Sequence, residues 1–221
     1  MRPEPVEGRD GDNRTGVVYG CNDEAVMVRH PPTRSSVLIA IVLLLAFAVW
    51  TWLTFNSAAF AALDQATLPP PVDPDSGTAE IIAAFALITW PGLEYAALAC
   101  IALWAIRRRL RQLAVALVLA IALGWGGADL LKIIFHRPRP ENALDLLTAT
   151  GYAYPSGHMT GVMILSIAVG ATFAVTRQSF RARVLWQLGS GLLVLAVAFN
   201  RWITGAHYVT DIVGGALYGA L

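Results

Sequence analysis

Lysine occurs once in this chain, at position 132, and cysteine only twice, at Cys21 and Cys100. One cysteine sits in a polar stretch and the other in an apolar run, which is neither a disulfide framework nor metal-ligand spacing, so redox and thiolate-metal chemistry have no footing. Charge is scarce as well. Asp, Glu, Lys and Arg make up 14% of the residues, where a soluble domain carries about a quarter. The net charge is +1, so the total indicates neither a nucleic-acid-binding surface nor an acidic solvating tail. Apolar residues fill 56% of the chain, a balance that points to a membrane.

Residues 1–36 depart from that pattern. They are polar, rich in Gly, Pro and charge, and are expected to be a disordered cytoplasmic tail because they lack the apolar content to bury a core. A cleavable signal peptide is not expected, since the first apolar stretch begins only at Val37 and is long enough to span. A start at Met27 is equally compatible with the sequence.

Residues 37–221 are expected to form one transmembrane domain. A bilayer core of about 30 Å needs about 20 mainly apolar residues in a helix. Six runs of that order follow: 37–55, 81–106 (interrupted by Pro91 and Glu94), 113–131, 159–175, 184–199, and a last one from near Ala206 to Leu221. The last is too short to cross fully, as a short or truncated helix would be. The expected fold is all-α, a bundle of about six transmembrane helices.

Arg29 and Arg34 precede the first run, Arg107, Arg108, Arg109 and Arg111 follow the second, and Arg177, Arg181 and Arg183 follow the fourth. By the positive-inside rule these segments are cytoplasmic. Residues 56–80 hold Asp64, Asp73 and Asp75 with no Lys or Arg, as an outer loop should. Two other outer segments break the rule, one with Lys132, Arg137 and Arg139, the other with Arg201, so cations on that side need a separate reason.

These cations stand in three short segments with three of the four histidines: Lys132-Ile-Ile-Phe-His-Arg-Pro-Arg139-Pro140, Tyr154-Pro155-Ser156-Gly157-His158, and Arg201-Trp-Ile-Thr-Gly-Ala-His207-Tyr-Val-Thr-Asp211. They resemble, in order, the signature segments of the type 2 phosphatidic acid phosphatase superfamily, a group of membrane lipid phosphatases, acid phosphatases and vanadium haloperoxidases. Any one segment alone is weak evidence; three in order are strong. Asn200 departs from the family pattern, which usually has Ser there, and this bears on a supporting hydrogen bond. The resemblance implies a core like that of the acid phosphatases and haloperoxidases, no metal or other cofactor, and a membrane lipid phosphate or diphosphate as substrate, with undecaprenyl diphosphate, phosphatidylglycerophosphate and phosphatidate as candidates. It also implies His207 as nucleophile with Asp211 as its orienting partner.

The chemistry of the residues points the same way. A phosphate under attack needs fixed donors around its equatorial oxygens, and Lys132, Arg139 and Arg201 offer two planar forks and one point charge. For Lys132 the alternative is a snorkelling residue at a helix end. Ser156 and Gly157 precede the fourth apolar run, where free backbone N–H groups at a helix start attract phosphate; Ser156 is also suited to capping that helix. His158, in the first turn, suits a general acid to the leaving group. His207 and Asp211 are four apart, on one face if helical, where a carboxylate bonded to one ring nitrogen leaves the other free to attack phosphorus. An ordinary helix hydrogen bond is the alternative there.

Of the other polar residues, Asp129 is placed to pair with Lys132. His136 and Arg137 fall at variable positions of the first segment and read equally as loop or interface residues. Glu94 is either a buried polar contact or the end of a shorter helix, and Trp50, Trp52 and Trp202 read as interfacial anchors. The expected function is a metal-independent phosphatase in the inner or plasma membrane, with its site on the extracytoplasmic side. A phosphotransferase using the same intermediate, or a non-catalytic membrane protein of the same fold, are the alternatives.

Overall fold

The computed structural model describes residues 34–140 and 151–221, and within them every regular element is helical. The expected tail, with Cys21 and Met27, lies outside the described residues up to position 33. Its last three residues open helix α1 (Arg34–Asn56), which starts ahead of the apolar run.

The segment after α1 is more ordered than its composition suggests. It holds a short helix, α2 (Ala58–Ala66), started by Ser57, whose Oγ accepts the Phe60 N–H at 3.4 Å. The second apolar run is two helices, α3 (Gly77–Ile88) and α4 (Pro91–Arg107). Proline at the first position of α4 holds the preceding Trp90 in an extended conformation, and the end of α3 is closed by Thr89, whose N–H and hydroxyl both donate to the Phe85 carbonyl, at 3.1 and 2.8 Å.

The third run is α5 (Arg111–Ile121), a π-helical turn over Ala122–Gly127, and α6 (Ala128–Phe135). π turns are rare and widen the helix, leaving backbone carbonyls to find other donors. Here the Tyr218 hydroxyl donates to the Leu123 carbonyl at 2.7 Å. The remaining runs are α7 (Gly157–Val175), α8 (Phe180–Ile203) and the twelve-residue α9 (Val209–Ala220).

Five stretches, 34–56, 77–107, 111–135, 157–175 and 180–203, are long and apolar enough to cross a membrane. Leu185, Leu188, Leu192 and Leu195 of α8 are 63–69% exposed, a burden in water but the natural face toward lipid. One core cluster joins Tyr95, Leu98 and Ala105 of α4, Leu113 and Leu117 of α5 and Ile164 of α7. A second joins Met159 and Val162 of α7 with Val197 of α8 and Ile212 of α9. The approach of α9 to α7 depends on small residues: a Cβ on Gly215 or Gly219 would stand 2.5 or 2.6 Å from the carbonyl oxygens of Ser156 and Thr160.

Two of the expected interfacial anchors do something more specific. Trp50 Nε1 donates to the Thr210 carbonyl at 2.9 Å, tying α1 to α9, and Trp202 Nε1 donates to the Thr67 carbonyl at 2.6 Å, tying α8 to the end of α2. Trp52 is 62% exposed.

Candidate active site

One end of the bundle gathers the three sequence segments. Pro91, which starts α4, lies 4.0 Å from the place a Cβ on Gly157 would occupy, so α4 and α7 begin side by side. Lys132 near the end of α6 is on the same spot, its Nζ 3.4 Å from that position. Arg201 comes from the last turn of α8, His207 from the turn before α9, and Asp211 from the first turn of α9. The arginine-rich turns after α4 and α7 lie at the opposite ends of those helices.

Each cation is held by a different device. Lys132 Nζ donates to Asp129 Oδ1 at 3.0 Å, the pairing expected from their spacing. Arg139 reaches backbone carbonyls of Ala206 at 2.7 Å, Gly151 at 3.1 Å and Tyr152 at 3.4 Å, with Nη1 also 3.3 Å from His207 Nε2. Burial lowers the Arg139 pKa, with Asp211 opposing. Arg201, 4% exposed, has Nη1 3.2 Å from His158 Nε2, and its Nε and Nη2 both donate to Asn200 Oδ1. Asn200 is fixed in turn by a 2.9 Å bond from its Nδ2 to the Ile82 carbonyl. The amide at this position therefore makes a supporting hydrogen bond to Arg201, despite the departure from Ser.

A guanidinium has only donors, so the ring nitrogens facing Arg139 and Arg201 are the acceptors. His207 then carries its ring proton on Nδ1, with a lone pair on Nε2 toward the cations; His158 likewise turns an Nε2 lone pair to Arg201. Burial, with Arg139, Arg201 and Lys132 adding their charge, holds His207 well below the ordinary histidine range, against a backbone contact at Ala153. The ring is neutral at physiological pH.

His207 and Asp211 do not form the helical hydrogen bond expected from their spacing. His207 precedes α9, and its Nδ1 lies 3.8 Å from Asp211 Oδ2, without a hydrogen-bond partner. The carboxylate is engaged elsewhere. Oδ2 accepts the Tyr208 N–H at 2.9 Å in a capping arrangement, and Oδ1 accepts from Arg137. Burial pushes the Asp211 carboxyl up, to about 6, against the pull of Arg137, Tyr208 and Arg139. Ser156 is fully buried, and its hydroxyl caps nothing and has no partner.

Two residues that the sequence left at the margin are central to this geometry. Arg137, read equally as a loop residue, is 12% exposed and bridges Asp211 to Asp64, an acid of α2 that only helped to mark an outer loop. The surplus of three cations in the first segment was the available signal for Arg137; nothing local marked Asp64. Glu94 lies buried in the first turn of α4, 6% exposed, with its Oε2 against Gly161 and without a hydrogen-bond partner. His136 ends α6 with φ 46° and packs edge-on to Tyr152 at 4.6 Å.

A family model described as the PAP2 superfamily matches residues 109–221, just over half of the chain. The chain belongs to the PAP2 superfamily. An undecaprenyl-diphosphatase of Sulfolobus acidocaldarius is 31% identical over 134 residues, 58% of this chain, and the match spans 61% of that relative's length. The crystal structure of the first transmembrane PAP2 type phosphatidylglycerolphosphate phosphatase from Bacillus subtilis shares the fold, with a TM-score of 0.67 at 18% identity, covering 81% of this chain and 90% of that one. The architecture is thus the all-α transmembrane PAP2 fold, and the chain is an integral membrane protein. The part matched by the PAP2 model includes all three signature segments and leaves out Asp64 and Glu94.

Proposed function

We propose that this PAP2 protein is a metal-independent phosphatase that removes phosphate from a membrane lipid phosphate or diphosphate through a phosphohistidine on His207. The observation that carries the reading is the neutral His207 with an Nε2 lone pair turned to Arg139, in the combined field of Lys132, Arg139 and Arg201. Three fixed cations suit the equatorial oxygens of a phosphoryl group and do the work that metal ions perform in other phosphatases. Ser156 adds an unused hydroxyl, and the N–H groups at the start of α7 add backbone donors beside Gly157.

In the first step His207 Nε2 attacks phosphorus, an N–P bond forms and the P–O bond to the lipid breaks. Phosphate oxygens take over the Arg201 N–H groups, which frees the His158 Nε2 lone pair to take up the proton of a substrate phosphate monoanion and pass it to the leaving oxygen. In the second step water attacks phosphorus, His158 accepts its proton, and the N–P bond breaks to release phosphate. Asp211 orients His207 from the Nδ1 side and balances the positive ring.

The relatives, an undecaprenyl-diphosphatase and a phosphatidylglycerolphosphate phosphatase, support a lipid substrate. The arginine-rich turns at the far ends of α4 and α7 support an extracytoplasmic site. Purified protein in nanodiscs, assayed for phosphate release from undecaprenyl diphosphate, phosphatidylglycerophosphate and phosphatidate, should act on at least one, and Arg201→Ala should abolish that release. No release from any of the three would refute the reading.

A further inference from the structure

Behind His207 lies a buried ion triad. Arg137 Nη2 pairs with Asp64 Oδ2 at 2.5 Å, and its Nη1 pairs with Asp211 Oδ1. Asp64 is 2% exposed and Asp211 fully buried. Thr210 closes the ring: its N–H donates to Asp64 Oδ1 at 3.1 Å, its hydroxyl donates to Asp64 Oδ2 at 2.7 Å, and the same hydroxyl oxygen accepts from Arg137 Nη1 at 2.7 Å. The Tyr208 ring covers the guanidinium at 4.6 Å and the Phe55 ring lies 5.9 Å away.

This arrangement uses both terminal nitrogens of Arg137 on carboxylates, where Arg139 and Arg201 turn theirs to backbone carbonyls, an amide and the two histidine rings. A single buried Arg–Asp pair would be neutral. Two carboxylates on one guanidinium leave a net negative charge beside His207, the sign that favours a ring turning positive as it attacks phosphorus. An acid inserted from a separate outer helix is an expensive way merely to tie loops together, and it sits where the orientation of Asp211 is decided.

We propose that Asp64 and Arg137 are positioning residues for phosphoryl transfer, holding Asp211 ionised and aimed at Nδ1 of His207. The proposal rests on the functional reading above, since it assigns what the triad does for that reaction. The charged and titratable groups facing Asp211 are Arg137 and Arg139 from the loop after α6, His207 from the turn before α9, Tyr154 from the segment before α7, and Asp64 from α2 through Arg137. Removing the Arg137 charge destabilises the Asp211 carboxylate, whereas removing the Asp64 charge leaves Arg137 wholly to Asp211 and stabilises it.

The test is the pH profile of kcat/KM for phosphate release, with one lipid substrate throughout so that its own ionisation is common to all variants. Arg137→Gln should lower kcat about 10- to 100-fold, as removal of a partner that orients a functional histidine does. It should also move the acid limb up by about 1–3 pH units. Asp64→Asn should move that limb down, and Arg137→Lys should restore part of the loss while leaving KM near the wild-type value. A role confined to holding the fold lowers the amount of active protein and moves no limb. Should Arg137→Gln not yield monodisperse protein, Asp64→Asn and Arg137→Lys carry the test alone. Limbs that stay in place in an active enzyme, limbs that move in the same direction in both variants, or a raised KM at unchanged kcat in Arg137→Gln would each overturn the proposal. A wild-type protein inactive on every lipid phosphate defeats the functional reading instead.

Discussion

His207 Nε2 lies 3.3 Å from Nη1 of Arg139, and because the guanidinium can only donate, the imidazole presents a lone pair to the cation cluster and leaves its Nδ1 proton 3.8 Å from Asp211, beyond hydrogen-bond reach. That one contact orders the rest of the site. Arg139 meets one side of the ring, and on the other side lies an acid that Arg137 holds in place.

The pH dependence of the free enzyme follows from the two partners of that ring. His207 is held well below the ordinary range, so its protonation does not limit activity near neutrality. Asp211 is raised to about 6, and its carboxylate is the competent form, so kcat/KM should fall as pH drops through about 6 and hold above it. In Asp211→Asn that limb should disappear while kcat falls by about 10²- to 10⁴-fold. A limb unchanged in Asp211→Asn would assign it to another group.

Asn200 should matter through Arg201. Its Oδ1 holds Nε and Nη2 of the guanidinium, so Asn200→Ala leaves a buried cation short of an acceptor. Hydrogen bonds to charged groups contribute about 1.5–3 kcal/mol, which corresponds to a loss of about 10- to 100-fold in kcat/KM. Asn200→Ser should retain part of it. Equal activity of Asn200→Ala and wild type would show that Arg201 is held without the amide.

Much of this site was legible because its residues are grouped in short segments with fixed spacing. Lys132, Arg139, Ser156, Gly157, His158, Arg201, His207 and Asp211 all meet at one end of the bundle, carried there by helix ends that the apolar runs already located. The helix break at Pro91 was legible from the missing N–H of proline. Asp64 was not, since its partners Arg137 and Thr210 are 73 and 146 residues away and no local pattern records a pairing made only by tertiary packing. The π turn at Ala122–Gly127 is marked only by three glycines in an apolar run, and the Tyr218 hydroxyl that stabilises it comes from α9. The spacing of His207 and Asp211 read correctly as proximity but wrongly as a helical pair, because α9 begins only at Val209.

Inhibition should follow the charge of the site. Vanadate adopts the five-coordinate shape of the transferring phosphoryl group and should compete with substrate at micromolar concentration, on the order expected for a transition-state mimic. Chelators should leave turnover intact. Loss of turnover on chelation with recovery on added magnesium would contradict the metal-free reading.

Membrane orientation is open to direct measurement in a cysteine-free background. An impermeant thiol reagent applied from outside should label cysteines placed at Asp73 or Tyr152 and spare those at Arg109 or Gln178. Labelling at Arg109 from outside would invert the orientation and put the site in the cytoplasm.

The most direct test of the account is to trap the phosphorylated protein by rapid quench in base, where phosphohistidine survives better than in acid. His207→Ala should form no phosphoenzyme and lose at least about 10³-fold in turnover, since no other group is placed to replace its Nε2. His158→Ala, supplied with an aryl phosphate whose leaving group needs little protonation, should still be phosphorylated and should accumulate the intermediate, because the base that activates water is gone. Phosphoenzyme in His207→Ala together with its absence in His158→Ala would contradict the assignment and exchange the roles of the two histidines.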